Sequence, residues 1–259
     1  MQREADSSSP KICFIDIETA PILAAVWTLH EANAIWVERD TYILSFAVKW
    51  HNEKTIKTHC VIDYPEYVTK QHCDRALLGD LWAVLDTATH VVAHNGDAFD
   101  IKKINARFAV HGLKPPSPYK TLDTLKLSRR SFKFDSNKLD NLGRYLSCGR
   151  KLQHQGANLW RKCMEGDQKA WALLRKYNAQ DVRLLERVYE RLKPWANIDL
   201  RPFTNAQGCP TCLSSNVQRR GIAVARSRRY QRFQCQDCGH WFPGEIIRAA
   251  PDPAPKTGS

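Results

Sequence analysis

Acidic side chains occur at three places in the sequence where apolar side chains would be expected. Residues 11–17 (KICFIDI) are nearly all apolar, which predicts a strand that is buried on both faces. Because side chains alternate along a strand, Asp16 and Glu18 share one face at its end, about 7 Å apart. Two ionised carboxylates this close repel each other, and one divalent cation could bind both. The alternative is that both acids lie beyond the strand and face water.

Two predicted helices carry the other misplaced acids. In the helix predicted over residues 98–111, the apolar stripe extends back to Asp100. In the helix predicted over residues 168–192, Tyr177 and Asp181 occupy stripe positions one turn apart. A buried ionised carboxylate needs a paired cation or a metal ion. Salt bridges to arginines at the edge of the core are the alternative, and a core tyrosine is the alternative for Tyr177.

Several further elements must position these residues. Strand-like runs at residues 42–50 and 54–62 are separated by three residues, which predicts a hairpin. A helix is predicted over residues 71–87, a strand over residues 90–93 and a short helix over residues 138–146. The order strand, hairpin, helix, strand, helix is typical of an α/β fold.

The three acidic segments resemble, in order, the motifs of the DEDD superfamily of 3′–5′ exonucleases in its tyrosine-bearing form. The resemblance is carried by residues 14–19 (FIDIET), 94–100 (HNGDAFD) and 177–181 (YNAQD), and it spans about residues 10–195. The pattern is similar to that of stand-alone relatives of the proofreading domain of family B DNA polymerases. The resemblance implies a ribonuclease-H-like fold, which is a mixed sheet flanked by helices.

The resemblance also implies phosphodiester hydrolysis assisted by two divalent metal ions. Asp16 would bind both ions, Glu18 and Asp181 would complete one site, and Asp100 would act on the second ion through water. Tyr177 would orient the attacking water. Hard oxygen ligands favour Mg²⁺ or Mn²⁺ over zinc at this site.

Other residues of the motifs are expected to contact the terminal nucleotide. These are Thr19, Asn95 and Phe99. Asp97 competes with Asp100 for the role of the second-motif acid. Asp100 is preferred because the Asn-x-x-x-Phe-Asp spacing matches the family and because Asp100 lies on the apolar stripe.

Four of the nine cysteines have the spacing of a zinc site. Cys209 and Cys212 form one C-x₂-C pair, and Cys235 and Cys238 form another after 22 intervening residues. Four thiolates leave no open position on a zinc ion, so this site would be structural and resembles a zinc ribbon, placed at residues 201–248. Two disulfides are the alternative, and a reducing compartment disfavours them.

The chain is strongly basic, with a net charge of +12 from 39 Lys and Arg against 27 Asp and Glu. Residues 201–259 hold nine Lys and Arg against three Asp and Glu, which is half of this excess. Arginines bind phosphates and aromatic rings stack on unpaired bases, so the ribbon is predicted to bind nucleic acid. The expected contacts are Arg226, Arg228, Arg229 and Arg232. The alternatives are a ribbon that docks a protein of replication or repair, and a solvated basic face.

The composition excludes several classes of protein. A content of 43% hydrophobic residues argues against wholesale disorder. No apolar run approaches the roughly 20 residues of a membrane span, and residues 1–10 lack the apolar core of a signal peptide. The odd number of cysteines fits poorly with a disulfide framework. We therefore expect a cytoplasmic protein without a membrane partner.

The sequence predicts three segments: a nuclease domain over residues 1–200, the zinc ribbon over residues 201–248 and a disordered Pro-rich tail over residues 249–259. The favoured interpretation is a metal-dependent 3′–5′ exonuclease that acts on nucleic acid, with single-stranded or frayed DNA preferred over RNA. One alternative is a nucleic-acid-binding or adaptor protein without activity. The other is a structure-selective endonuclease on the same fold.

Overall fold

The computed structural model describes residues 10–247 except residues 29, 31–32, 52, 71, 154–155, 205–206 and 226–227. The chain divides into two compact units, one spanning Pro10–Leu192 and the other beginning at Lys193. The tail predicted over residues 249–259 lies outside the described residues.

The first unit contains the following strands and helices along the chain. Its strands are β1 (Ile12–Thr19), β2 (Leu23–Ala25), β3 (Trp36–Arg39), β4 (Ile43–Trp50), β5 (Lys57–Cys60), β6 (His90–Ala93) and β7 (Lys120–Asp123). Its α-helices are α1 (Pro65–Thr69), α2 (Arg75–Thr87), α3 (Asp100–Val110), α4 (Thr124–Ser131), α5 (Leu139–Tyr145), α6 (Asn158–Met164) and α7 (Gln168–Leu192), and a 3₁₀ turn spans Val61–Asp63.

The five-stranded sheet of this unit has the order β5-β4-β1-β6-β7. Strands β5, β4 and β1 are antiparallel neighbours, whereas β1, β6 and β7 run parallel. The predicted α/β fold with a mixed sheet flanked by helices is therefore confirmed, and so is the hairpin of β4 and β5. A second, two-stranded sheet pairs β2 with β3, and the sequence analysis did not predict it.

The pairing of β1 creates an opening in the sheet. Strand β6 pairs with β1 only over Ile12, Cys13 and Phe14, whereas β4 pairs with it as far as Thr19. The last five residues of β1 therefore have a strand neighbour on one side only. Since parallel strands end at the same edge of the sheet, the segments that follow β6 and β7 lie at this opening.

Buried apolar residues from the sheet and from two long helices form the core of the unit. Strands β1 and β4 are buried on both faces, as continuous apolar runs predict. Helix α2 contributes Leu77, Leu78, Leu81 and Leu85. Helix α7 is 25 residues long and buries one stripe along its length. These elements hold β1 rigidly in the centre of the sheet.

A buried carboxylate fixes α3 to the sheet. Asp74 is fully buried and accepts a hydrogen bond from the Ile43 backbone N–H at 2.9 Å. The Arg107 guanidinium donates to both of its oxygens at 2.9 and 2.7 Å, and His111 Nε2 lies 2.7 Å away. Asp74 thus connects the beginning of β4 with the end of α3, the helix that carries Asp100.

The second unit contains a three-stranded antiparallel sheet with the order β10-β9-β8. Its strands are β8 (Val217–Ala225), β9 (Arg228–Cys235) and β10 (Trp241–Ile247), and 3₁₀ turns span Lys193–Trp195 and Arg201–Phe203. A small apolar cluster of Val217, Phe233 and Phe242 packs around the four clustered cysteines.

None of the helices in the described part of the chain has the length and hydropathy needed to cross a membrane.

Candidate active site

Carboxylates from β1 and α7 meet at the opening beside β1. One oxygen from each of Asp16, Glu18 and Asp181 lies within 4.8 Å of the other two. Asp181 is buried, whereas Asp16 and Glu18 are partly exposed, so the cluster is open to solvent on the β1 side. We call these three residues the acid cluster. Its members come from two of the three elements on which the sequence pattern indicated acids at apolar positions.

Asp100 lies next to the acid cluster without being part of it. It is 4% exposed, and its Oδ1 accepts a hydrogen bond from the Ile17 backbone N–H at 3.3 Å. Ile17 lies in the part of β1 that β6 does not pair, so the carboxylate takes the place of a strand partner. Asp97 instead bonds Lys126 Nζ at 2.7 Å. Of the two acids in the second motif, the structure brings Asp100 to the site.

Burial raises the pKa of each acid on β1 and α3, and the charges of neighbouring acids add to this effect. Burial, followed by the charges of Glu18, Asp100 and Asp181, raises the pKa of Asp16 well above its usual value. Burial and the charge of Asp181 raise the pKa of Glu18 to about 8. Burial raises the pKa of Asp100 to about 6, against the hydrogen bond from Ile17. The acids therefore cannot all be ionised together at neutral pH unless a cation joins them, so they fit a divalent metal ion.

A lysine that the sequence analysis missed meets the acid cluster. Lys151 Nζ donates hydrogen bonds to Asp181 Oδ2 at 2.5 Å and to the Tyr177 hydroxyl at 3.1 Å. Burial opposes its charge, but Asp181 more than compensates and raises the pKa of Lys151. Asp140 holds the segment that carries Lys151 in place. Its Oδ1 accepts a hydrogen bond from the Lys151 backbone N–H at 2.8 Å, and its Oδ2 accepts one from Arg150 at 3.0 Å.

Tyr177 is held beside the acid cluster by contacts with Lys151 and Trp160. Burial, then the charge of Asp181, raise the pKa of Tyr177 to about 12, so its hydroxyl stays protonated at neutral pH. The Trp160 ring packs edge-on against the Tyr177 ring, with centroids 6.1 Å apart. The phenol is therefore fixed in position as well as in protonation state.

Two more residues that sequence reasoning missed orient the carboxylates of β1. Asn178 is fully buried, donates to Asp16 Oδ2 at 2.6 Å and accepts from Ser45 Oγ at 3.1 Å. Trp160 Nε1 donates to Glu18 Oε2 at 3.1 Å. Asn178 follows Tyr177 in the third motif, and a buried position beside a candidate acid was the available signal. Nothing in the local sequence marks Trp160 or Lys151.

The residues expected to contact the terminal nucleotide lie on segments at the same edge of the sheet. Thr19 ends β1, Asn95 follows β6 and Phe99 precedes α3 with 39% of its surface exposed. Asn95 has a positive φ of 66° and its N–H is bonded to Asp123 Oδ1 at 2.9 Å. Asp123 also caps α4, so it fixes this edge. Substrate contact by the three residues stays a prediction.

The clustered cysteines in the second unit have the geometry of a metal site. The Sγ atoms of Cys209 and Cys238 are 3.6 Å apart, as are those of Cys212 and Cys235, and all four lie within 4.8 Å of one another. All four thiols are free, and a disulfide would need about 2.05 Å. Zinc with bonds of about 2.3 Å in a tetrahedron places neighbouring sulfurs about 3.8 Å apart, so the four cysteines fit zinc.

Three of the four arginines predicted to contact nucleic acid lie on β9, and they are distributed over both of its faces. Alternation places Arg228 and Arg232 on one face and Arg229 on the other, and all three are exposed. The Arg232 guanidinium lies 4.8 Å from the centre of the Trp241 ring. Arg226 lies outside the described residues. The face with Arg228, Arg232 and Trp241 therefore combines cations with an aromatic ring.

Comparisons with known proteins relate the first unit to a known family and to a known fold. Residues 13–193 match the family model RNase_H_2, described as RNase_H superfamily. The fold is similar to the family B DNA polymerase from the hyperthermophilic archaeon Pyrobaculum calidifontis, with a TM-score of 0.55 and 14% sequence identity. That similarity covers 72% of this chain and 25% of the polymerase chain, so the chain spans only a fraction of the polymerase. No curated protein matches the chain.

Proposed function

Because this chain belongs to the RNase_H superfamily, we propose that it is a metal-dependent 3′–5′ exonuclease that hydrolyses single-stranded or frayed DNA. Family membership supports a nuclease on the ribonuclease-H-like fold. The observation that carries the proposal is the acid cluster, in which three carboxylates lie within 4.8 Å at the open side of β1. The direction of digestion and the tyrosine-bearing class rest on the resemblance of the three sequence motifs.

The residues of the site would divide the binding of two metal ions among them. Asp16, Glu18 and Asp181 would hold one ion, and Asp16 with Asp100 would hold the other. The carboxylate oxygens suit Mg²⁺ or Mn²⁺. When bound, these ions would activate the attacking water and stabilise the leaving 3′ oxygen. The raised pKa values of Asp16 and Glu18 support the proposal, because they show carboxylates held together without enough positive charge.

Tyr177 and Lys151 would position the attacking water and the phosphate. The phenol oxygen accepts a hydrogen bond from Lys151 at 3.1 Å, so the phenol O–H acts as a donor. A protonated phenol fixed between Lys151 and Trp160 suits the orientation of a water for attack. Lys151 brings a positive charge beside the acids, where the substrate phosphate must approach.

The second unit would bind zinc and hold the substrate. The four free thiols with sulfur separations of 3.6 Å support a structural zinc ion bound by Cys209, Cys212, Cys235 and Cys238. The exposed Arg232 beside Trp241 supports contacts with phosphates and unpaired bases. Removing residues 201–259 should weaken binding of DNA and flatten its salt dependence while the first unit stays folded. Unchanged affinity and salt dependence would show that the ribbon has another partner, such as a protein of replication or repair.

Digestion of end-labelled nucleic acid tests the proposed activity. Single-stranded DNA, duplex DNA and RNA labelled at the 5′ end would be incubated with Mg²⁺ or Mn²⁺. We expect a ladder that shortens from the 3′ end, strongest on single-stranded DNA, and no cutting of circular single strands. Asp100→Asn should abolish the ladder, whereas the matched control Asp97→Asn, three residues earlier, should keep it.

Three results would contradict the proposal. Activity that survives in Asp16→Asn would exclude the acid cluster as the site of hydrolysis. Cutting of circular DNA would indicate an endonuclease. Binding of nucleic acid without hydrolysis in either metal ion would indicate a non-catalytic binding protein.

A further inference from the structure

We propose that two copies of this chain form a two-fold dimer through the hairpin of β2 and β3. In the described part of this hairpin and its flanks, six large apolar side chains are at least 41% exposed. They are Ile22, Leu23, Val26, Trp27, Trp36 and Val37. We call the two strands and these six side chains the apolar arm. The inference is independent of the proposed nuclease activity.

The base of the apolar arm is fixed to the first unit, but its two faces are uncovered. The Thr41 hydroxyl and the Tyr42 carbonyl oxygen bond the backbone of Ala20, each at 2.8 Å. Among the described strands, β2 and β3 pair only with each other. Alternation along β3 places Trp36 on one face and Val37 on the other, and both are exposed. Since a two-stranded hairpin is marginally stable in water by itself, the arm would gain stability from a surface packed on it.

The apolar arm exposes as much apolar surface as one side of a stable protein interface. Trp27 is 79% exposed and Trp36 is 61% exposed. At about 250 Å² for a tryptophan side chain, the two rings leave about 350 Å² in contact with water. The four aliphatic side chains add about 250 Å². Roughly 600 Å² suits a homodimer interface, in which about two-thirds of about 800 Å² per partner is apolar.

The charge of the arm argues against nucleic acid as its occupant. The chain has 39 Lys and Arg, and none of them lies in residues 20–37. Phosphates of nucleic acids and of anionic lipids are bound mainly by such cations. Surfaces that stack bases on aromatic rings combine those rings with a positively charged groove. The two tryptophans of the arm therefore fit an uncharged protein surface better than a phosphate-bearing ligand.

A second copy of the chain supplies such a surface. The net charge of +12 makes two copies repel each other over much of their surface. Residues 20–37 contain one acidic residue, one histidine and no Lys or Arg, so two arms can approach with little repulsion. In a two-fold dimer the same patch lies on both sides of the interface, and each apolar arm would cover the other.

Sedimentation equilibrium of the full chain in EDTA tests the inference. Between about 1 and 100 μM, the average mass should rise from the 29.7 kDa of one chain toward twice that value. Trp27→Ser/Trp36→Ser should raise the Kd of the dimer at least about 100-fold, because buried tryptophans often dominate the affinity of an interface. The matched control Val68→Ser/Val110→Ser removes side chains that are 71% and 68% exposed on α1 and α3, and it should keep the Kd of the parent.

Charges placed on the arm test whether one arm contacts the other. Val37→Arg and Val37→Glu each put like charges on both sides of the interface, so each variant alone should be monomeric over this range. Their equimolar mixture brings opposite charges together and should form the dimer again. Recovery on mixing would also show that both variants are folded.

Four results would overturn the inference. One is a parent whose mass stays at 29.7 kDa at every concentration. Another is a monomeric parent that sediments with phosphatidylcholine vesicles, which would assign the arm to a lipid surface. Equal Kd values for Trp27→Ser/Trp36→Ser and its control would place the dimer interface elsewhere on the chain. A mixture of the two Val37 variants that stays monomeric would exclude contact between the arms.

Discussion

Replacing Glu18 with glutamine should stabilise the metal-free protein. Burial and the charge of Asp181 raise the pKa of Glu18 from 4.5 to about 8. The unfolded chain therefore releases this proton above pH 4.5, whereas the folded chain keeps it until about pH 8. Since the unfolded state binds fewer protons in this window, the free energy of unfolding falls as the pH rises from 4.5 to 8. Below pH 4.5, Glu18 is protonated in both states and no longer lowers the free energy of unfolding.

The size of the effect follows from the pKa of Glu18. At pH 7, keeping Glu18 protonated costs about 1.4 kcal/mol for each pH unit above its ordinary pKa, or about 3 kcal/mol. Glutamine needs no proton and still offers an oxygen to Trp160 Nε1, which donates to Glu18 in the parent. For a unit of this size, about 3 kcal/mol corresponds to a rise in Tm of roughly 6–12 °C.

Thermal melts in EDTA at several pH values would measure this effect. The curves of parent and Glu18→Gln should agree near pH 4.5 and separate steadily toward pH 8, while the exposed control Glu53→Gln should follow the parent. Mn²⁺ should then raise the Tm of the parent more than that of Glu18→Gln. An ion stabilises the folded state to which it binds, and the variant lacks the Glu18 carboxylate that would bind it. A Glu18→Gln protein that melts at or below the parent at every pH in EDTA would refute the reasoning.

Three further changes have defined outcomes. Asp74→Ala leaves the partly buried Arg107 guanidinium without its carboxylate and should lower the free energy of unfolding in urea by about 3–5 kcal/mol; a loss below about 1 kcal/mol would show that Asp74 does not fix α3 to the sheet. Cys212→Ser removes one of four thiolates and should reduce bound zinc from one equivalent to a small fraction. Mass spectrometry of the metals that remain after dialysis would measure this, and a full equivalent of zinc would contradict a site formed by the four cysteines. Tyr177→Phe removes the hydroxyl beside Asp181 and should lower kcat about 100-fold with an unchanged Tm, and an unchanged kcat would exclude the hydroxyl from positioning the water.

The positions of Asp16, Glu18 and Asp181 in the fold follow from the periodicity of a single element. Strand alternation puts Asp16 and Glu18 on one face of β1, and Asn178 and Trp160 contact them there. Helical spacing puts Asp181 on the buried stripe of α7, where it is 1% exposed. Each of these positions follows from a single local pattern.

The residues that the sequence did not reveal depend on contacts between distant segments. Lys151 lies in a loop, and its partner Asp181 is 30 residues away, so no local period links them. Strand β7 and helices α4 and α6 are four to eight residues long, which is too short for periodicity to separate them from loops. Asp100 was found from the stripe of α3, but its hydrogen bond to Ile17 exists only because β6 ends early beside β1.

The hydrogen bond between Lys151 and Asp181 changes what loading of the site involves. Lys151 places an ammonium group next to Asp181, the most buried acid of the acid cluster. An incoming divalent ion then competes with this ammonium group for Asp181 Oδ2, where Nζ now lies at 2.5 Å. Under the proposed function, loading would therefore exchange one cation for another. The affinity measured for Mg²⁺ or Mn²⁺ will contain the free energy needed to release Lys151.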